Sequence, residues 1–247
     1  MRITGGLPTR WVPLGCRPAS MKPTTRVAET AAPDGAQFVL LKHDGEFLLY
    51  MDDRQIMTTT LTHSELLLAD IGCAFKRPRR GPRILIGGLG LGFSLRRALE
   101  ITDSAAKVVV AELLPEIVRW NHELLDGLND QILADPRTEV VQEDVFKLID
   151  RAAKKGPKFD AILLDVDDGP TSLIQPQNVQ LYGRDGLEIL KNALTPGGRL
   201  AIWAAVEEPK LLKALGRAGF RTEEIACAKH KRAKRQNHRI YLAERRD

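Results

Sequence analysis

From residue 83 onward, short apolar runs alternate with stretches whose apolar positions recur every three to four residues. This pattern predicts strands at 83–87, 107–112, 138–142, 159–165, 198–205, 221–226 and 238–243. Helices are predicted at 92–101, 115–125, 145–154, 179–193 and 207–218. Strand and helix in regular alternation predict an α/β fold with a doubly wound, mostly parallel sheet. Pro196-Gly197-Gly198 reads as a tight turn into a strand. The last two strands have no helix between them, so a C-terminal hairpin closes the sheet. Before residue 83 the period drops to two. Runs at 37–41, 46–51 and 55–60, parted by His43-Asp44-Gly45 and Asp52-Asp53, predict a small antiparallel N-terminal β segment. Thr62, with Glu65 three residues on, predicts a capping box that opens a helix to about Phe75. Residues 1–34, rich in Pro, Thr, Arg and Gly and without period, read as a disordered leader, with Met21 as an alternative start. The expected plan is therefore a leader at 1–34, a small β-sheet with its linking helix at 35–80, and a ligand-binding domain at 81–247.

Composition narrows this picture. With 247 residues, 43% of them hydrophobic, the chain can build one good-sized domain, or one with a small appendage. No apolar run approaches the length of a membrane span, so no membrane partner is expected. Cys16, Cys73 and Cys227 are odd in number and far apart, which suits neither a zinc site nor a disulfide framework and fits a reducing cytoplasm. The formal charge of +5 is concentrated in two clusters, at 76–80 and 229–235. Such clusters can meet phosphate-rich partners. With no interleaved aromatics, they read as solvated loops rather than as a nucleic-acid surface.

Candidate chemistry begins where the first predicted strand of the large sheet ends. Ile84-Leu85-Ile86 runs into Gly87, Gly88, Gly90 and Gly92, and a helical pattern follows at once. Glu112 closes the next apolar run, Val108-Val109-Val110-Ala111. Glycines admit a ligand close to the backbone, a helix N-terminus offers N–H groups, and an acid at the end of the next strand can grip a ribose diol. A nucleoside-type ligand is expected there. Asp165, Asp167 and Asp168 crowd the end of a central strand, where open α/β sheets place ligands and where like charges raise carboxyl pKa values. Asp168-Gly169-Pro170 is also good turn chemistry.

Together these segments resemble the spermidine synthase-like (polyamine aminopropyltransferase-like) branch of the class I S-adenosylmethionine-dependent transferases. The loop at 87–92 resembles that family's GGGDGG, and Glu112 resembles its ribose-binding acid. Glu143-Asp144-Val145 resembles the GDA that holds the adenine amino group. The stretch from Asp160 through Asp165, Asp167 and Asp168 to Pro170 resembles its catalytic segment, and Gln55 through His63-Ser64-Glu65 resembles its run from Gln to YHE, one residue short. The resemblance implies a Rossmann-like class I methyltransferase fold. It implies a donor bound by Gly87, Gly88, Gly90, Gly92, Glu112, Asp144 and Val145, with Val145 or Phe146 offering an N–H to the adenine ring. It implies Asp165 orienting or deprotonating the acceptor and Asp168 holding an acceptor polar group. His63, Glu65, Asp167, Asn178, Tyr182 and His238 are candidates for the acceptor pocket, while Trp203 reads as core.

Two departures bear on the transferred group. Gly90 stands where the family has an aspartate facing the ammonium of an aminopropyl donor, and threonines at Thr58-Thr59-Thr60 replace an acidic pair. A buried ammonium needs such partners. Free N–H groups along 88–92 would instead suit a donor that keeps its carboxylate. The expectation is therefore methyl transfer from S-adenosylmethionine to a small-molecule acceptor. Aminopropyl transfer from decarboxylated S-adenosylmethionine to an amine is the alternative, and a non-catalytic adenosyl-ligand binder a further one. No metal is expected, nucleic acid is disfavoured, and a homodimer is allowed.

Overall fold

A computed structural model describes residues 23–129, 131–166, 179–228 and 238–246. Two sheets organise them. The first is a four-stranded antiparallel meander of β1 (Thr24–Ala31), β2 (Gln37–His43), β3 (Glu46–Met51) and β4 (Arg54–Thr58), paired in that order. Phe38, Leu40, Phe47 and Leu49 bury alternate positions of β2 and β3, as a half-covered strand requires. The expected leader is corrected at residues 24–31, which form β1 along β2. This strand escapes a sequence reading because most of its side chains are exposed.

Helix α1 (His63–Cys73) connects to the second sheet. Thr62 is its N-cap but makes no side-chain cap bond, and the expected capping box does not form. The Glu65 carboxylate is instead occupied by the Ser64 hydroxyl, which donates to it at 2.6 Å.

The second sheet has seven strands: β5 (Arg83–Gly87), β6 (Lys107–Glu112), β7 (Thr138–Gln142), β8 (Phe159–Leu164), β9 (Leu194–Ala204), β10 (Phe220–Cys227) and β11 (His238–Arg245). Their spatial order is β10-β11-β9-β8-β5-β6-β7, with β5, β6, β7, β8 and β9 parallel. The expected closing hairpin is present as β10 paired antiparallel with β11. The middles of the central strands β5, β6 and β8 are apolar because both faces are covered. Ile84, Ile86, Val108, Val110, Ala161 and Leu163 join one core, with α1, α2 (Phe93–Ile101), α3 (Pro115–Glu123) and the N-terminal sheet. Leu85, Val109, Ile162 and Leu164 join the other, against α5 (Val145–Lys154), α7 (Arg184–Ala193) and α8 (Pro209–Arg217).

Three local details differ from the expected pattern. The helix at 179–193 is two helices, α6 (Val179–Tyr182) and α7, and a Cβ on Gly186 would lie 1.8 Å from the Gln180 carbonyl oxygen, so only glycine lets them pack. A one-turn helix, α4 (Asp126–Asn129), follows α3. Pro196-Gly197-Gly198 is a large bulge inside β9 rather than a turn before it: Phe159 pairs with Leu194, and Ala161 with Arg199. Among the described residues no helix is long and apolar enough to cross a membrane.

Candidate functional site

Strand β5 lies between β6 and β8, where the winding of the sheet reverses. Open α/β sheets bind ligands beyond the carboxyl ends of the strands at such a point. A cleft opens there, lined by Gly88 and Gly90 after β5, Glu112 at the end of β6, Glu143 to Val145 after β7, and Asp165 after β8.

The glycines divide by role. Gly88 and Gly90 have φ of +86° and +50°, left-handed values that favour glycine, and both face the cleft. Gly87 does not line it, because a Cβ there would press on Leu164, Val145 and Val166 at 3.0–3.2 Å. Gly92 does not line it either; it is the left-handed N-cap of α2. At Gly90 a Cβ would lie 2.4 Å from the Met57 sulfur, so a β4 side chain fills the space that a residue larger than glycine would take.

Glu112 is only 8% exposed. Its Oε2 accepts from Leu89 N–H and its Oε1 from Leu114 N–H, each at 2.9 Å. Burial pushes its carboxyl pKa up, against the backbone N–H groups of Leu114, Leu89, Leu113 and Gly90, which pull it down. This carboxylate thus ties the glycine loop to the start of α3. Asn121 braces the same loop by donating to the Gly90 carbonyl at 2.8 Å, a role with no sequence signature.

Asp144 caps α5, its Oδ1 accepting from Phe146 N–H at 2.7 Å. That bond removes Phe146 as a donor to a ligand, and Val145, buried at the first helical position, faces the cleft instead. Glu143 is held by Arg151, which keeps its carboxyl below the usual range. The opposite wall is apolar: Phe38, Leu49, Ile56 and Met57 come from the N-terminal sheet. Sequence reasoning missed this wall because its residues carry only the ordinary alternation of core strands.

Asp165 lies in the cleft, its N–H pointing to the Gly87 carbonyl at 3.4 Å. The expected site residues Asp167, Asp168 and Asn178 lie outside the described residues. His63, Glu65, Tyr182 and His238 do not line this cleft. His63 opens α1, and Glu65 is buried behind it, its carboxyl pushed up by desolvation. Tyr182 ends α6 and packs on the second core. His238 opens β11 with its ring edge-on to Trp203 at 4.9 Å, and Trp203 is partly buried against the first core, its indole nitrogen without a hydrogen-bond partner among the described residues.

Residues 58–215 match the family model described as the spermine/spermidine synthase domain. Among curated proteins, the chain is 31% identical over 163 residues to polyamine aminopropyltransferase 1 of Hyperthermus butylicus, covering 65% of this chain and 51% of that protein. It is 33% identical over 115 residues to polyamine aminopropyltransferase of Pyrobaculum islandicum, covering 47% and 38%. The chain thus matches about half or less of the length of these relatives. Among solved structures, a spermidine synthase in complex with the transition state analogue AdoDATO aligns with a TM-score of 0.66 at 19% identity, over 89% of this chain and 73% of that one. Spermidine synthase from Thermotoga maritima aligns with a TM-score of 0.62 at 16% identity, over 89% and 72%. Both likenesses speak for the fold.

The expectation of methyl transfer is overturned. The matched relatives are named for aminopropyl transfer. The physical premise also weakens, since three of the loop N–H groups counted on to hold a donor carboxylate are spent: Gly88 donates to Ala111, Leu89 to Glu112 and Gly92 to Leu89. A matched segment that carries the glycine loop, Glu112, Asp144 and Asp165 on a doubly wound sheet leaves one conclusion: the chain belongs to the spermine/spermidine synthase family.

Proposed function

We propose that this chain transfers an aminopropyl group from decarboxylated S-adenosylmethionine to a small amine. The observation that carries this reading is the cleft at the winding reversal, where four segments within the family match converge. Glu112 has spent one lone pair of each oxygen on the backbone, and a carboxylate has about four acceptor positions in all. The remaining ones suit the two ribose hydroxyls. Asp144 has Oδ2 left over from its cap and suits the adenine amino group. Gly88 and Gly90 let the sulfonium end of the donor approach the backbone.

The sulfonium is already reactive, so the protein's work is positioning and proton removal. Asp165 takes the proton that the acceptor ammonium must lose. The freed nitrogen lone pair then forms a bond to the propyl carbon next to sulfur, the carbon–sulfur pair returns to sulfur, and a neutral thioether, methylthioadenosine, leaves. The apolar wall of Phe38, Leu49, Ile56 and Met57 keeps water from the reacting carbon. The test is release of methylthioadenosine with putrescine and other small amines. Decarboxylated donor should be turned over at least about tenfold faster than S-adenosylmethionine, a difference of about 1.4 kcal/mol. Equal or better use of S-adenosylmethionine would overturn the reading.

A further inference from the structure

A second cleft, of about 440 Å³, lies at the opposite end of the large sheet. The glycine loop follows the carboxyl end of β5. This cleft gathers the amino ends of the parallel strands, where Arg199 of β9 pairs with Glu244 near the end of β11 and Phe220 of β10 pairs with Arg245. Its walls carry Lys76, Arg77, Arg79, Arg221, Arg245 and Arg246, drawn from three separate stretches of chain.

Most of these cations have internal work. Arg79 is fixed by Asp160, by the Thr195 hydroxyl at 2.9 Å and by the Pro196 carbonyl at 2.7 Å. Arg245 donates to the carbonyls of Lys191 and Leu194 at 3.0 and 2.5 Å. Lys76 and Arg221 both donate to Glu244 Oε1 at 2.8 Å, while Arg199 stands 3.7 Å from its other oxygen. One nearly buried carboxylate is therefore shared by three cations. Arg77 and Arg246, both exposed, have no hydrogen bond or ion pair among the described residues. Seven cations around two carboxylates leave the cluster strongly positive.

We infer that this cleft binds an oligophosphate anion, with Arg77 and Arg246 as its ligands and the Glu244-centred cluster as its floor. Guanidinium forks match phosphate oxygens two at a time, and a preformed positive field holds a polyvalent anion far better than a monovalent one. The volume falls in the ordinary range for one small ligand. The cations surround a concavity rather than track along a stripe, and among the described residues no aromatic side chain lines it for base stacking, which separates it from a single-stranded nucleic-acid channel. Its position keeps it clear of the donor cleft, so the inference stands apart from the proposed activity.

Titration calorimetry on the full chain tests it, with sodium tripolyphosphate, inorganic monophosphate and a short single-stranded DNA as probes. Tripolyphosphate should bind saturably at one site, more tightly than monophosphate, and weaken between about 50 and 200 mM salt as phosphate contacts do. The double variant Arg77→Ala, Arg246→Ala should lose at least about tenfold in affinity with its ligand-free melting temperature unchanged. The single variant Arg77→Ala should show a smaller loss in the same direction. Absence of saturable tripolyphosphate binding, equal affinity in both variants, or binding of the DNA alone would each overturn the inference.

Discussion

At the scale of single residues, Glu112 joins two functions in one carboxylate. It replaces solvent for the backbone of the glycine loop and presents its remaining lone pairs to the cleft. Removing it orphans the buried N–H groups of Leu89 and Leu114, and an orphaned buried donor costs about 1–3 kcal/mol. Glu112→Ala should therefore lower stability to denaturant and abolish the melting-temperature rise that methylthioadenosine gives the wild type by mass action. A retained rise would remove Glu112 from the donor site. Glu112→Gln is no conservative control, because an amide offers only one acceptor atom where two N–H groups converge. Asp165 differs in kind: its backbone N–H points to the Gly87 carbonyl at the β5 end, while the residue itself lines the cleft. Asp165→Asn should keep donor affinity and lose about 10²–10⁴-fold in turnover, the usual size of a general-base contribution. Single-turnover assays beside donor titration separate the two; unimpaired turnover would leave Asp165 as part of a turn.

Among elements, the contact between β4 and the glycine loop controls what the cleft can be. Met57 touches the position where any side chain on residue 90 would project. Gly90→Ala should destabilise the protein twice over, through left-handed backbone strain of about 1–3 kcal/mol and through collision with the Met57 sulfur. Adding Met57→Ala should recover the second cost but not the first, so a double-mutant cycle should show a favourable coupling. An additive cycle would mean that the two residues do not meet. The same scale separates what could be read from the chain and what could not. Central strands β5 and β6 were legible to the residue because both faces are buried and their apolar runs stop at glycine or acid. Strand β1 was hidden because its side chains are mostly exposed. The break between α6 and α7 turns on the close approach of Gly186 to the Gln180 carbonyl, a contact no periodicity reports. In the site, glycines and acids announced themselves by type and spacing. The apolar wall did not, because Phe38, Leu49 and Ile56 look like any core residue until topology sets them against the loop.

Over the whole molecule, pH response is a balance of opposed carboxylates. Asp135 beside Arg137 and Glu143 beside Arg151 sit below the usual range, so their contribution is present above the ordinary carboxylate values and is lost as pH falls through the lowered ones. Glu65 and Glu112 run the other way. Desolvation raises both, against the hydrogen bonds they accept. Below the ordinary value of 4.5, Glu65 is protonated in folded and unfolded chains alike. As pH climbs past that value the unfolded chain ionises while the folded one still holds its proton, so stability falls until the raised folded value is passed, then levels off. Glu65→Gln keeps an acceptor for the Ser64 hydroxyl and has no proton to lose. It should melt above the wild type near pH 7, and the gap should close near about pH 4, where the wild-type carboxyl is largely neutral in both states. Melting curves of both proteins across this range decide it. A variant that melts lower at neutral pH and equal in acid would mean that the ionised Glu65 is stabilised by a partner stronger than its burial is costly, and the charge at this junction between α1 and the sheet would then be part of what holds the two together.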